Sequence, residues 1–148
     1  MLYFLPYGTI SNDCFRIWIF YQKNKILLSE RKNTGYMDGW FSLPAGHIED
    51  GETITYGTKR EIQEEVGVVV QVEDLQLVHV MHRKSNDIRM DFFFLIEAWK
   101  GEPKNMESDK CSRLQWFPID TLPKNTIPYI REAILNHTKS IFYSEFGW

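Results

Sequence analysis

The sequence predicts an α/β fold in which a mixed β-sheet lies between layers of helix. Three observations support this prediction. Strand-like segments come first, one helical segment interrupts them, and further strands precede a second helical segment. The 148 residues are 43% hydrophobic and 15% aromatic, which is typical of a globular chain with a well-filled core. No repeat or linker-like stretch divides the sequence, so we expect one domain over residues 1–148.

The first strands form a predicted hairpin. Residues 15–21 are β-branched and aromatic, and a second apolar run at 26–28 follows a polar turn at 22–25. A polar loop with two glycines occupies 31–39. Residues 41–43 then make a short extended piece.

The first helix has clear signals at both ends. Thr53 is a good N-cap residue, and a helical pattern continues from it to Val66. Gly67 stands where a helix commonly ends in the left-handed conformation. We therefore predict a helix of three to four turns, preceded by a loop over residues 45–51.

The second half is predicted to return to strand. Residues 68–70 and 75–81 are strand candidates, and 114–117 form a short one. Residues 88–99 give the strongest strand signal, because the apolar run within them is continuous. Such a run predicts burial on both faces of the sheet.

The end of the chain combines a helix and an aromatic tail. Residues 126–136 are predicted as helix, with Thr126 as the N-cap and Pro128 in the first turn. Residues 138–148 contain four aromatic side chains. A terminus so rich in aromatics is expected to dock on this domain or on a second subunit, and the oligomeric state is predicted as monomer or homodimer.

Charge and composition argue against several classes of protein. The net charge is −3 without a block of Lys or Arg, which is a poor match for a protein that binds duplex nucleic acid. No apolar stretch reaches 18 residues, so no membrane span is predicted. The apolar start lacks a basic region and the full length of a signal peptide. Cys14 and Cys111 have no partners at zinc-ligand spacing and are expected to be reduced, which predicts a cytoplasmic protein.

The acidic residues are concentrated in one segment. Residues 46–68 contain six acidic and two basic residues, a net charge of −4, whereas the rest of the chain carries +1. Glu61, Glu64 and Glu65 have the spacing that places them on one helix face, where like charges repel. A bound cation would explain the arrangement, and hard oxygen ligands without His or Cys favour Mg²⁺, with Mn²⁺ as a substitute. The alternative, common for glutamate-rich turns, is a solvated helix face.

The frame around these glutamates favours the metal site. In order it reads Gly46, five residues, Glu52, seven residues, Arg60-Glu61-Ile62, one residue, Glu64-Glu65, one residue and Gly67-Val68. This segment, residues 46–68, resembles the signature of the Nudix hydrolase family at all nine of its defined positions. Residues 43–49 and 116–118 also look like the family, although Ala45 replaces a glycine that many members have. The resemblance implies an α/β/α sandwich with a mixed sheet.

The resemblance also implies a reaction. Nudix enzymes cleave a nucleoside diphosphate linked to another group by metal-dependent attack of water on phosphorus. By position, Glu64 and Glu65 would be the main Mg²⁺ ligands, and Glu61 a further ligand or the base. The Gly46 carbonyl would complete the coordination, and Arg60 would orient the carboxylates.

Further residues are implied less directly. Glu52 would be the partner of Arg60 or a supporting acceptor. A downstream loop carboxylate often contributes in the family, and Glu107 and Asp109 are the candidates, with Glu97 behind them. For each of these three, a solvated acid is the alternative. His47 follows Gly46 in a pattern common among relatives and would line the site.

Substrate selectivity is expected to come from other parts of the chain. The candidate substrate-binding residues are Arg31, Asn33, Tyr36, Trp116 and Tyr129. Aromatic faces among them could stack on a base. The alternatives are a packed core for the aromatic residues of the second half and an ordinary exposed strand-end position for Arg31.

The intact signature favours an enzyme of the MutT-like type. We predict Mg²⁺-dependent hydrolysis of a (d)NTP to a (d)NMP and pyrophosphate, a reaction that would sanitise the nucleotide pool. Within enzymes, the alternatives are cleavage of a nucleotide sugar, ADP-ribose or a dinucleoside polyphosphate. A nucleotide-sensing domain without catalysis and a scaffolding module that depends on the aromatic tail are the other classes.

Overall fold

The computed structural model describes residues 14–47, 49 and 51–148. The expectation about the apolar start lies outside these residues, as do Ile48 and Asp50 of the signature segment. The strands are β1 (Cys14–Gln22), β2 (Lys25–Arg31), β3 (Phe41–Ser42), β4 (Ala45–His47), β5 (Gln76–Lys84), β6 (Ile88–Ile96), β7 (Cys111–Pro118) and β8 (Tyr143–Phe146). The helices are α1 (Ile54–Val66) and α2 (Pro128–Thr138), with one 3₁₀ turn at Val72–Asp74.

The strands form one mixed sheet. The order is β3-β2-β1-β6-β5-β8, while β4 pairs with β1 and β7 pairs with β2. The pairs β1–β6 and β5–β8 are parallel, and the other pairs are antiparallel. The mixed sheet predicted from the sequence is confirmed.

A hydrophobic layer covers each face of the sheet, because alternate residues of a strand point to opposite sides. On β1, Ile17 and Ile19 belong to a cluster that includes Ile130 and Ile134 of α2, which we call the α2-side core. Trp18 and Phe20 belong to the other cluster, the α1-side core, which includes Ile62 and Val66. The helices therefore lie on opposite faces, and the α/β/α sandwich is confirmed.

Helix α1 has the predicted ends. The Thr53 hydroxyl accepts a hydrogen bond from the Tyr56 amide at 3.3 Å, which caps the first turn. Gly67 has a φ of 74°, and its amide donates to the Gln63 carbonyl. Because the apolar stripe of the helix faces the α1-side core, Glu64 projects to the solvent, whereas Glu61 is buried beside β1 and β4.

Helix α2 and two predicted strands differ from the expectation. The helix is capped by Ile127, one residue later than predicted, because the Thr126 hydroxyl donates to the Pro123 carbonyl at 2.7 Å instead. Residues 68–70 form no strand: a single bridge joins Val69 to Lys100. Val68 and Val70 are buried in the α1-side core, but among the described residues the bridge at Val69 is isolated, so no strand ladder forms.

Strand lengths were also predicted imperfectly. Strand β5 continues to Lys84, past the predicted end, because residues 82–84 pair with residues 88–90 of β6. Strand β6 ends at Ile96 rather than at 99. Its last four residues are buried on both faces as predicted, but its first residue, Ile88, is exposed.

The aromatic tail docks on the chain itself, which was one of the two predicted outcomes. Strand β8 adds to the edge of β5 in parallel. Buried His79 joins the two segments: Nδ1 lies 2.8 Å from the Ile141 carbonyl oxygen and Nε2 lies 3.0 Å from the Ser144 hydroxyl. The Trp148 indole donates to the His82 carbonyl at 3.1 Å.

Among the described residues, no helix is long and apolar enough to cross a membrane.

Candidate active site

A cleft of about 850 Å³ contains most of the residues that the sequence singled out. One end is acidic and lies against α1, while the other end combines arginines with aromatic rings. The acidic end is lined by Gly46, Glu61, Glu64, Glu65 and Glu107. The opposite end is lined by Arg31, Tyr36, Arg83 and Tyr129. Phe15, His47 and Arg89 also line the cleft, with His47 adjacent to Gly46 and packed against the Phe15 ring.

Arg60 links the carboxylates of the acidic end. Its Nη2 and Nε atoms donate to the two oxygens of Glu52 at 2.8 and 3.2 Å, which is a bidentate pair. Its Nη1 atom donates to Glu64 Oε2 at 2.9 Å. Glu61 and the exposed Glu49 approach the same guanidinium at 3.4 Å each. The pair with Arg60 lowers the pKa of Glu52, so that carboxylate is charged at neutral pH.

Glu61 lies directly against the backbone of Gly46. Strand β4 holds Gly46 opposite Arg16 of β1, and the Glu61 carboxylate reaches this point from α1. A Cβ atom added at Gly46 would lie 1.3 Å from Glu61 Oε2. This oxygen is buried and has no hydrogen-bond partner among the described residues. Burial raises the pKa of Glu61, although Arg16 and Arg60 both oppose the change.

The structure adds Arg16, which the sequence reasoning missed. Its side chain is fully buried, with Nη2 3.1 Å from Glu61 Oε1 and Nη1 3.7 Å from Glu52 Oε1. The signal was an arginine in the apolar run of β1, where a charged side chain needs a partner. The position of Arg16 beneath α1 depends on the packing of the strand on the helix, which the local sequence does not define.

Glu65 and Glu107 form the other wall of the acidic end. Burial, together with the neighbouring Glu107 and Glu61 carboxylates, raises the pKa of Glu65 to about 8. Glu107 lies 3.5 Å from Lys110. Glu107 was one of two candidates for a downstream carboxylate, and it is the one that lines the cleft.

The acidic end fits a divalent cation in its donor chemistry. Within the described part of the chain, no three metal-ligating side chains are already close enough to hold an ion. However, Glu61 directs an unpartnered oxygen at the Gly46 backbone, and Glu65 is held in a site that penalises its charge. Carboxylate and carbonyl oxygens are the ligands that Mg²⁺ and Mn²⁺ accept. The residues present therefore suit such an ion.

Three of the five candidate substrate residues lie in the cleft. Arg31 is held by the Tyr36 carbonyl at 2.7 Å and the Thr34 hydroxyl at 2.9 Å, and its guanidinium lies 5.4 Å from the centre of the Tyr36 ring. Tyr129 stacks on the guanidinium of Arg83 at 4.0 Å. Both tyrosines present ring surface at the same end of the cleft.

The structure does not bring the other candidates to the cleft. The Asn33 amide donates to the Asp109 carbonyl at 3.2 Å, and neither residue lines the cleft. Trp116 stacks on Trp99, with ring centres 6.0 Å apart, against the α1-side core. Trp116 therefore belongs to the packed core, which was the alternative predicted for it, because its side chain lies on the α1 side of the sheet. Glu97 follows β6 and is exposed, also away from the cleft.

Two arginines of the cleft lining were also missed. Arg83 is buried and paired with Asp91, with Nε as donor. Arg89 lies 4.5 Å from the centre of the Phe15 ring and donates to Asp87 at 2.7 Å. For Arg89, the available signal was the alternation of charged and apolar residues at the start of β6. The direction in which these side chains point depends on the register between β5 and β6.

Comparison with known proteins identifies the family. The family model described as NUDIX domain matches residues 12–136. The chain belongs to the Nudix family. It is a Nudix pyrophosphohydrolase by this membership, and Nudix hydrolases generally use divalent metal cations. The acidic end of the cleft carries the Nudix signature segment.

Three similar proteins illustrate the relationship. An ADP-ribose pyrophosphatase of Methanocaldococcus jannaschii is 36% identical over 104 residues, which cover 68% of this chain and 59% of that protein. An 8-oxo-dGTP diphosphatase of Buchnera aphidicola is 27% identical over 128 residues, 86% of this chain and 93% of that protein. The crystal structure of a MutT NUDIX hydrolase from Burkholderia pseudomallei has a TM-score of 0.76 at 26% identity, covering 83% of this chain and 95% of that one.

Proposed function

We propose that this Nudix protein hydrolyses a nucleoside triphosphate to a nucleoside monophosphate and pyrophosphate, using Mg²⁺ at the acidic end of the cleft. The observation that carries the proposal is the two-ended cleft. A Nudix acidic face lies at one end, and the exposed ring of Tyr36 lies with Tyr129 at the other. The diphosphatase of Buchnera aphidicola, which this chain matches over 93% of its length, supports a triphosphate substrate.

The metal ligands in this proposal are oxygens of Glu61, Glu64 and Glu65 with the Gly46 carbonyl. A bound divalent cation neutralises phosphate charge and lowers the pKa of the attacking water. Arg60 keeps the Glu64 carboxylate on this side of α1 by a 2.9 Å hydrogen bond. Gly46 leaves room for Glu61, because no side chain intervenes between them. Phosphoryl transfer depends mainly on such positioning.

Two carboxyl groups are suited to accept the proton of the attacking water. Glu61 and Glu65 both have pKa values raised by burial, and a raised pKa makes a carboxylate a stronger base. The proton would move to Oε2 of Glu61 or to the Glu65 carboxylate. The sequence named Glu61 as a possible base, and the raised pKa adds Glu65 as a second candidate.

Aromatic and arginine side chains would hold the nucleoside. The Tyr36 ring is half exposed at the rim, and Arg31 lies behind it. A base could stack on such a ring with a gain of about 1–3 kcal/mol. The Tyr129 ring adds a wall, fixed by its contact with Arg83.

ADP-ribose hydrolysis is the second candidate. It is favoured by the 36% identity to the Methanocaldococcus jannaschii enzyme, although that match spans 59% of the relative. Both candidates require cleavage of a diphosphate at the same carboxylates. They differ in the group that the arginine and aromatic end must accept. A cytoplasmic location also remains part of this proposal.

A product assay tests the proposal. Purified protein would be incubated with Mg²⁺ and canonical or oxidised (d)NTPs, ADP-ribose, nucleotide sugars and dinucleoside polyphosphates. Pyrophosphate and a monophosphate from one triphosphate class would support it. Turnover confined to ADP-ribose would favour the second candidate. Absence of turnover on every substrate would contradict an enzymatic role and favour a nucleotide-sensing domain.

Matched variants test the site within the same assay. We expect Glu64→Gln and Glu65→Gln to lose most of the turnover while keeping the fold. Glu73→Gln is the control, since Glu73 is an exposed glutamate outside the cleft. Near-normal turnover in both site variants would contradict the metal assignment.

A further inference from the structure

Arg16 is the most deeply buried charge near the Nudix signature segment. Its side chain has no exposed surface, and none of its guanidinium nitrogens makes a hydrogen bond within the described residues. Removing such a charge from water costs several kcal/mol, and the ion pairs with Glu61 and Glu52 offset this cost. Replacing a buried ion pair by apolar residues of similar volume is often neutral or stabilising. Stability alone therefore does not explain an arginine here.

The helix above Arg16 is adapted to it. Gly57 lies inside α1, where glycine is about 1 kcal/mol less favourable than alanine. A Cβ atom at this position would lie 2.1 Å from Arg16 Nη1 and 2.3 Å from Glu52 Oε1. The glycine therefore leaves space for the arginine and its partner, so two separate segments of the chain accommodate the buried cation.

We propose that Arg16 is a positioning residue that orients the Glu61 carboxylate for a divalent cation. This inference rests on the proposed function. Arg16 contacts Oε1 of Glu61 from below, which leaves Oε2 directed at the Gly46 backbone. Without Arg16, no buried positive charge on the β1 side would fix the rotamer of Glu61.

The charges of the site agree with this role. Arg16 contacts Glu52 and Glu61, while Arg60 contacts Glu49, Glu52, Glu61 and Glu64. Together with Glu65 and Glu107, these carboxylates outnumber the two arginines and Lys110, so negative charge remains for a divalent cation. Arg60 holds the solvent side of the set, with its own side chain partly exposed, and Arg16 holds the buried side.

Mn²⁺ binding to the metal-free protein without nucleotide is the direct test. Electron paramagnetic resonance would measure the Kd for Arg16→Met, which keeps bulk but removes the charge, and for Arg16→Lys, which keeps the charge. We expect Arg16→Met to bind Mn²⁺ at least roughly tenfold more weakly, and Arg16→Lys to stay within about threefold of wild type. Ile19→Val is the control, because it loosens the same strand on the opposite face and should not change the Kd.

Each outcome separates the two proposals. Wild-type affinity in folded Arg16→Met, or equal losses in the Met and Lys variants, would overturn the positioning role alone. Wild-type protein that binds no Mn²⁺ would overturn the proposed metal-dependent function as well. If Arg16→Met does not fold, Arg16→Leu, a shorter apolar replacement, should show the same weak binding. Wild-type affinity in folded Arg16→Leu would also overturn the positioning role.

Discussion

The Glu61 carboxylate occupies the space that a side chain at Gly46 would need. The distance of 1.3 Å between Glu61 Oε2 and a Cβ atom at Gly46 is far inside any van der Waals contact. Gly46 does not have a positive φ, so the constraint comes from the neighbouring carboxylate and not from the backbone conformation. The first glycine of the signature segment is thereby tied to one of its glutamates.

Gly46→Ala should therefore displace Glu61 while the fold remains intact. We expect turnover and Mn²⁺ affinity to fall by roughly 10- to 100-fold, as for other changes that disturb the support of a metal ligand. Kinetics over a range of Mn²⁺ concentrations would measure both effects. Ala45→Gly is the control on the adjacent residue, and normal turnover in Gly46→Ala would contradict the placement of Glu61.

Gly57→Ala should destabilise the protein, which is the opposite of its usual effect. Alanine in place of a helix-interior glycine ordinarily gains about 0.5–1 kcal/mol. Here the new Cβ would collide with the Arg16 guanidinium, which is fully buried and cannot move into solvent, and with the Glu52 carboxylate. Urea unfolding would measure the free energy of unfolding. The same substitution in an Arg16→Met background should cost less stability, because the clash with Glu52 alone remains, and a gain in the wild-type background would show that the helix can shift.

The stability of the metal-free protein should fall as pH rises. The pKa of Glu65 is about 8 in the folded protein against 4.5 for an ordinary glutamate. Between these values the folded protein holds a proton that the unfolded chain has lost, so stability decreases through this range. Urea unfolding in EDTA between pH 5.5 and 8 would show a slope that Glu65→Gln reduces. An identical dependence of stability on pH in Glu65→Gln would contradict the assignment of the raised pKa to Glu65.

Divalent cation binding should respond to pH in the opposite direction. Because a ligand carboxyl group must lose its proton to bind metal, affinity should increase toward pH 8 with release of a proton. Calorimetry in two buffers of different ionisation enthalpy would count that proton. Glu65→Gln should bind weakly without proton release, and equal proton release in the variant would assign the proton to another group.

Tyr36→Ala should weaken substrate binding specifically. The ring lies at the cleft rim and is 48% exposed, so its loss costs the core little. If a base stacks on it, we expect KM to rise by about 5- to 100-fold with a smaller change in kcat. Tyr56→Ala is the matched control, because Tyr56 is 65% exposed on α1 outside the cleft. Equal KM values in the two variants would remove Tyr36 from the substrate site.

Local patterns in the sequence were sufficient for most of the fold. The N-cap Thr53 and the terminal Gly67 fixed the ends of α1, because caps act over one turn of helix. Thr126 misled the prediction for α2, since its hydroxyl has a closer acceptor in the preceding turn. The strand predicted over residues 75–81 stopped short of residues 82–84, which belong to β5 because they pair with β6.

The sequence by itself determined the Nudix signature segment and the helix face that carries Glu61, Glu64 and Glu65, since both depend on spacing along one helix. Only the tertiary structure decided which distant residues complete the site. Arg16 is 45 residues from Glu61 in sequence and contacts it because β1 packs beneath α1. Trp116 faces the α1-side core while Tyr129 reaches the cleft, because strand register and helix packing set side-chain direction. The direction of each of these side chains is set by contacts between distant segments, which a local sequence pattern does not encode.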